Sequence, residues 1–239
     1  MHLNTQLEER GLEAINAPER CLDCLPLPAF DEARLEEARE GFRGATVVEL
    51  GQPWRMKPEA EFRAGRVRMG WRDEALLVLA ELEDEDIFSR ATGPNQRTWE
   101  LGDVFEIFLR PVEQSAYVEF HVTPDNHRLA LRFPDEETVR GAQLSDGFEP
   151  FFLEGNVIES RAWVLAAQKK WFVFARIPAG IVCDYPQGLM GQKWLFSFSR
   201  YDYRKGCERP VLSTSSLHQQ TNFHCQPAWY GMRFCGSGL

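Results

Sequence analysis

The 239-residue chain contains no apolar run approaching the roughly 18 residues that a membrane-spanning helix needs, so no membrane partner is expected. Positive charge is in deficit. Lys and Arg number 27 against 36 Asp and Glu, a formal net charge of −9. That balance repels phosphate backbones and argues against nucleic acid as a partner. The opening MHLNTQLEERGLEA is acidic and polar, with neither a basic n-region nor an apolar h-region. By sequence the chain therefore reads as cytoplasmic, unless its true start lies upstream. Internal repeats and low-complexity segments are absent as well. With 44% hydrophobic and 26% charged residues the composition is that of a globular protein rather than a disordered one.

Signatures of covalent and metal chemistry are sparse. Cys21-Leu-Asp-Cys24 is a lone CxxC, and Cys183, Cys207, Cys225 and Cys235 are scattered. A zinc site needs a second pair at short spacing. With no export signal and a size that needs no covalent staples, the six read as ordinary thiols. No G-x-S-x-G motif occurs, and no cysteine lies in a nucleophile setting.

What is present is aromatic: 17 Phe, 7 Trp and 5 Tyr. Seven Trp is a surplus for this length. Residues 1–44 differ from the remainder and read as an N-terminal extension. Asp31 to Phe42 (DEARLEEAREGF) predicts one short helix with Asp31 as its cap. From Ala45 the period becomes 2. Val67, Met69 and Trp71 alternate with Arg66, Arg68 and Gly70, which predicts a half-buried strand. Ala75 to Glu81 (ALLVLAE) is apolar on both faces and predicts a central strand. Further strands are predicted at 103–110, 116–123, 127–133, 157–166, 170–177 and 194–201, with short ones near 210 and 230. No helix alternates with them, which argues against a parallel α/β sheet. The fold expected for 45–239 is all-β, an immunoglobulin- or jelly-roll-like antiparallel β-sandwich behind a short helical extension. Trp163, Trp171 and Trp194 read as core or sheet-face residues of that sandwich.

One hairpin can be registered from its pattern. Phe105, Ile107 and Leu109 share a face, as do Val118, Phe120 and Val122. Pairing residues whose numbers sum to 227 joins them into one apolar face. The opposite face then pairs Glu106 with His121, Phe108 with Glu119 and Arg110 with Tyr117. Trp99 lies just ahead of this hairpin, after the turn-rich ATGPNQRT. A flat ring beside carboxylate and imidazole suits a sugar, whose C–H face packs on the ring while its hydroxyls find acceptors. The plainer alternative is a Trp closing the sandwich end above a solvated Glu106–His121 pair.

WRDEALLVLAELEDEDI, TWELGDVFEIFLRP and YVEFHVTPDN, followed by WLFSFSRYDYRKG and TNFHCQPAWYGMRF, resemble the family 9 carbohydrate-binding modules and the DOMON-like domains of similar architecture. These blocks span about residues 65–239 in family order. The resemblance implies a non-catalytic β-sandwich that binds the end of an oligosaccharide or polysaccharide, working on extracellular glycans. It implies that Trp99 is one of two aromatic walls and that Glu106 accepts from sugar hydroxyls. His121 falls at a polar strand position, often Arg in the family. Arg200, at a strand end where family members often carry Arg, is a candidate donor; equally, it could bridge an acid across the sheet. The second wall, a Trp in sugar-binding members, falls here on His224, next to Phe223. Some members carry structural calcium, and Glu83, Asp84, Glu85 and Asp86 could supply oxygens, although a solvated acidic loop is the plainer reading.

Other chemistries find less support. A glycosidase needs two carboxylates across a cleft, and Asp103 and Glu106 have opposite strand parity. A haem site, as in some DOMON-like domains, needs axial Met or His. No spacing selects a pair from His121, His127, His218, His224, Met69, Met190 and Met232. No cofactor is assigned, structural calcium being the one the resemblance leaves open. A sandwich that has lost sugar binding and serves protein interaction remains the alternative function.

Overall fold

A computed structural model describes residues 20–145, 147–183 and 188–236. Two sheets face each other. The first has the order β1 (Cys21–Cys24), β12 (Tyr230–Phe234), β10 (Lys193–Asp202), β5 (Val104–Pro111), β6 (Tyr117–Val122), β7 (Arg128–Phe133), with β11 (Val211–Thr214) also pairing with β10. The second has the order β2 (Thr46–Leu50), β3 (Gly65–Arg72), β4 (Ala75–Glu83), β9 (Lys170–Pro178), β8 (Glu159–Leu165). Every pairing is antiparallel except β1 with β12. The fold is the expected β-sandwich. Among the described residues no helix is long and apolar enough to cross a membrane.

Strand β4 shows why its sequence is apolar throughout. Leu76, Val78, Ala80 and Leu82 face the core between the sheets, with Val67, Met69, Val173 and Ile177. Ala75, Leu77 and Leu79 face outward, where they are covered by Leu27, Phe42, Ala45 and Phe174. Burying each such Leu contributes about 1.5–3 kcal/mol. Asp73 and Glu74 both adopt positive φ (48° and 55°), which closes the two-residue turn between β3 and β4.

The N-terminal helix is shorter than expected: α1 runs Leu35–Gly41, and Arg34 rather than Asp31 stands at its N-cap. Asp31 is committed elsewhere, its Oδ1 accepting from the Ala33 N–H at 2.9 Å in a local turn. Phe30 packs over Gly41, where a Cβ would lie 2.1 Å from the ring. Cys21 is exposed and Cys24 buried, on opposite faces of β1, so the CxxC offers no shared ligand site.

The β5–β6 register is the one expected: Phe105 pairs with Val122, Glu106 with His121, Ile107 with Phe120 and Leu109 with Val118. The apolar set enters the inter-sheet core. The other face is the correction. Glu106, Phe108, Glu119 and His121 are not solvated but buried. They share the outer face of the first sheet with Leu129, Leu131 and Phe133 of β7, and Phe223 and Trp229 join the apolar cluster on that face. Helix α2 (Glu136–Ser145) supplies Val139 and Ala142 to that cluster. No helix was expected there. Its N-terminus is marked by Asp135, whose Oδ1 accepts from the Thr138 N–H and Oγ1–H, both at 2.7 Å.

Candidate functional site

A cavity of about 110 Å³ opens on this outer face of the first sheet. Its floor is strand side chains: Glu106 and Phe108 from β5, Glu119 from β6, Leu131 from β7 and Tyr201 from β10. Strand parity places them together, because alternate residues of adjacent strands share a face. Trp99 stands on one side, on the one-turn segment Thr98–Glu100. Its carbonyl accepts from the Tyr203 hydroxyl at 2.6 Å, and its ring meets Phe148 edge-on with centroids 5.4 Å apart. Phe223 and His224 line the cavity from the loop between β11 and β12, with Asn222 and Thr221 beside them, and Gln143 reaches in from α2.

Phe223 and His224, the two residues considered for a second wall, both line the cavity but in different states. Phe223 is buried against Trp54, Phe108 and Tyr201. His224 keeps 15% of its side chain exposed and stands edge-on to Phe108, centroids 5.4 Å apart. The Tyr117 hydroxyl lies 2.9 Å from His224 Nδ1; burial raises the Tyr117 pKa far above neutrality, so Tyr117 donates.

His121 is under the floor, wholly buried. Its Nδ1 lies 2.7 Å from Thr98 Oγ1, and its ring is edge-on to Trp99 with centroids 5.5 Å apart. Its Nε2 lies 2.6 Å from Glu119 Oε1 and 3.5 Å from Glu106 Oε1. Burial works against charge on His121, but Glu106 and the hydrogen bond to Glu119 outweigh it and raise its pKa. Burial likewise opposes charge on Glu119, and His224 with the bond from His121 holds that carboxyl below its usual range. Burial dominates at Glu106. With repulsion from Glu119, and against the pull of His121, it pushes that carboxyl up to about 8. Burial lowers the pKa of His224. The directions therefore favour a proton on His121 and a charge on Glu119, while burial favours the protonated form of Glu106.

Arg200 is not brought to this cavity. It follows Phe196 and Phe198 in parity and points to the inter-sheet side of β10. There its Nη2 is 2.9 Å from Asp84 Oδ2 and 3.2 Å from Asp202 Oδ2, and its Nη1 donates to the Glu83 carbonyl at 2.6 Å. Asp84 is buried rather than part of a solvated loop, while Asp86 pairs with Lys205 at 2.8 Å and Glu85 with Lys169 at 3.2 Å. Carboxylate oxygens of Asp84, Asp103 and Asp202 lie within 4.8 Å of one another. They do not fit calcium, which takes about six to eight oxygen ligands. Arg200 already engages Asp84 and Asp202, and both Asp103 oxygens accept backbone N–H groups, from Tyr203 at 2.8 Å and Phe88 at 2.6 Å.

Sequence reasoning did not assign Glu119, Phe148, Tyr201 or Gln143 to the site. Glu119 was within reach, since it shares a strand face with His121 two residues on. Phe148 and Gln143 belong to covering segments that carry no strand signal. Of the haem-ligand candidates, Met69 and Met232 lie in the inter-sheet core and Met190 on the surface.

A scan of protein-family models gives no match to this sequence, and a search of curated proteins gives none either. Solved structures do share the fold. A candidate carbohydrate-binding protein from Bacteroides uniformis ATCC 8492 superposes with a TM-score of 0.65 at 14% identity, over 90% of this chain and 99% of that one. A family 9 carbohydrate-binding module from Caldicellulosiruptor kristjanssonii, in complex with cellotriose, gives 0.60 at 16% identity, over 92% and 95%. A family 9 module from the same organism, in complex with glucose, gives 0.58 at 15% identity, over 90% and 97%.

Proposed function

We propose that this chain is a non-catalytic carbohydrate-binding module that holds the end of a glycan against Trp99. One observation carries the reading. Glu106, 2% exposed, sits on the cavity floor with no hydrogen-bond donor among the described residues, because His121 Nε2 is directed at Glu119. A buried acceptor without a donor costs stability unless a ligand supplies one. Sugar hydroxyls are such donors, and the rings of Trp99 and His224 offer apolar surface for the C–H face. The sugar complexes of the two fold neighbours support the same ligand class.

The cavity is small beside the roughly 300–1,000 Å³ of typical ligand pockets. It suits the edge of one terminal ring rather than a chain lying along a groove. Glu106 and Glu119 rise from adjacent strands on one floor, whereas a glycosidase sets its two carboxyls across the scissile bond. That placement supports binding without hydrolysis. The test is titration of the protein with glucose and cello-oligosaccharides, followed by calorimetry and Trp emission. Saturable binding that disappears in Trp99→Ala is expected. Absence of binding across a broad glycan panel, or unchanged binding by Trp99→Ala, overturns the reading and favours a protein-interaction sandwich.

A further inference from the structure

We propose that the preferred ligand end is a protonated amino sugar, a hexosamine whose ammonium group meets Glu106. The inference rests on the sugar-binding reading of the same cavity and names the class of sugar it selects.

The argument starts from charge. The cavity is lined by two carboxyl groups, Glu106 and Glu119, and by no Lys or Arg among the described residues. Glu119 is already matched by His121 at 2.6 Å. The Nδ1 proton of His121 goes to Thr98 and its Nε2 proton to Glu119, so the ring has none left for Glu106 at 3.5 Å. His224 faces the floor at 3.7 Å from Glu119, and burial lowers its pKa against the pull of that carboxyl. Among the described residues the other titratable groups near the floor are the hydroxyls of Tyr117, Tyr201 and Tyr203, whose pKa values burial raises, and the Glu136 carboxyl, which acts on Tyr117 and His224. One carboxyl is thus left over, nine-tenths buried, aimed into a cavity and without a donor.

A neutral hydroxyl satisfies that oxygen only in part. In the empty cavity Glu106 keeps its proton, burial holding its pKa near 8, and a protonated carboxyl forms a weaker acceptor than a carboxylate. An ammonium group changes this. It stabilises the ionised form, and the bond becomes charge-assisted, about twice as strong as a neutral one. The balance is simple: the carboxyl proton leaves to solvent, the ammonium keeps its own three, and no covalent bond changes. The ring of Trp99 adds a favourable face for the same cation. The amide side chains of Gln143 and Asn222 at the cavity provide partners for ring hydroxyls, which a bare alkylammonium such as a lysine side chain would leave unused.

The test compares glucosamine and its β-1,4 oligomers with glucose, cello-oligosaccharides and N-acetylglucosamine on the full chain, by calorimetry at mildly acidic pH in buffers of different ionisation enthalpy. Glucosamine is expected to bind roughly tenfold tighter than glucose. Its binding should release protons, and acetylation of the amine should abolish the advantage. In Glu106→Gln the ratio between glucosamine and glucose should fall to near one, with proton release gone. Glucose binding as tightly as glucosamine overturns the amino-sugar inference and leaves the sugar reading standing. Equal binding of Nα-acetyl-lysine amide overturns it in favour of a peptide ammonium. Failure of every sugar overturns both.

Discussion

His121 is fully buried with its Nε2 2.6 Å from Glu119 Oε1, and its raised pKa favours an ion pair with that carboxyl beneath the cavity rather than a solvated contact with Glu106. A buried pair is a weak source of net stability, since desolvation offsets most of the attraction. Its effect is on the neighbours. By accepting the hydrogen bond from His121 Nε2, Glu119 leaves Glu106 open to a ligand.

Removing one member should therefore cost far more than the pair contributes. His121→Ala leaves the Glu119 carboxylate buried and opens space beneath Trp99. A loss of about 3–5 kcal/mol is expected, read by urea unfolding near neutral pH. Glu119→Gln together with His121→Ala removes both charges and should recover part of that loss. If the single variant unfolds at the same urea concentration as the original chain, the buried pair is not formed.

Glu106 gives a pH signature with a definite sign. Its folded pKa, about 8, lies above its ordinary value near 4.5. Between those limits the native state holds a proton that the unfolded chain releases, so stability falls as pH rises through the window. One such proton is worth up to about 1.4 kcal/mol per pH unit. Asp103, raised to about 8, and Asp202, raised to about 6, act with the same sign. In both, burial leads and Asp84 adds to it. Glu106→Gln should flatten the decline between about pH 5 and 8 without abolishing it. Unfolding free energies collected across that range check this, and parallel curves for the two proteins would refute it.

Much of this arrangement was legible in the sequence, for physical reasons that also mark where it stopped. The β5–β6 register followed from strict alternation, because a one-residue slip would turn every apolar side chain outward. The burial of the opposite face did not follow. Its cover comes from α2, whose sequence EETVRGAQLS buries only Val139 and Ala142, and from the 221–229 segment about a hundred residues further on. Neither carries a period that points to this sheet. Arg200 is the instructive case. Phe196, Phe198 and Arg200 alternate with Ser197, Ser199 and Tyr201, so parity alone sends Arg200 to the core side. The family resemblance drew it toward the sugar, against that local signal.

Arg200 should accordingly matter to folding and not to the ligand. Arg200→Met keeps the apolar stem but leaves Asp84, Asp103 and Asp202 gathered without their cation. A loss of about 3–5 kcal/mol is expected, with the fraction that remains folded binding sugar at unchanged affinity. Differential scanning calorimetry and ligand titration on the same sample separate the two effects. A stable Arg200→Met protein with weakened binding would place Arg200 functionally in the site.

Gly102 links the Trp99 turn to β5 and has no room for a side chain. Its φ is +139°, and an added Cβ would lie 2.6 Å from the Phe88 carbonyl oxygen and 2.9 Å from the Ser89 Cα. The clash is with backbone on both counts. Relief would have to break the Ser89–Gly102 bridge or the hydrogen bonds beside it, Arg90 N–H to the Leu101 carbonyl at 2.7 Å and Asp103 N–H to the Phe88 carbonyl at 2.8 Å. Gly102→Ala should therefore cost about 1–3 kcal/mol. Because Trp99 is three residues upstream and is held by Tyr203, the same shift should change Trp emission and weaken ligand binding. Gly44, where an added Cβ meets nothing within 4 Å, is the control, and Gly44→Ala should alter stability by less than about 0.5 kcal/mol. If Gly102→Ala binds and unfolds like Gly44→Ala, the turn does not set the position of Trp99.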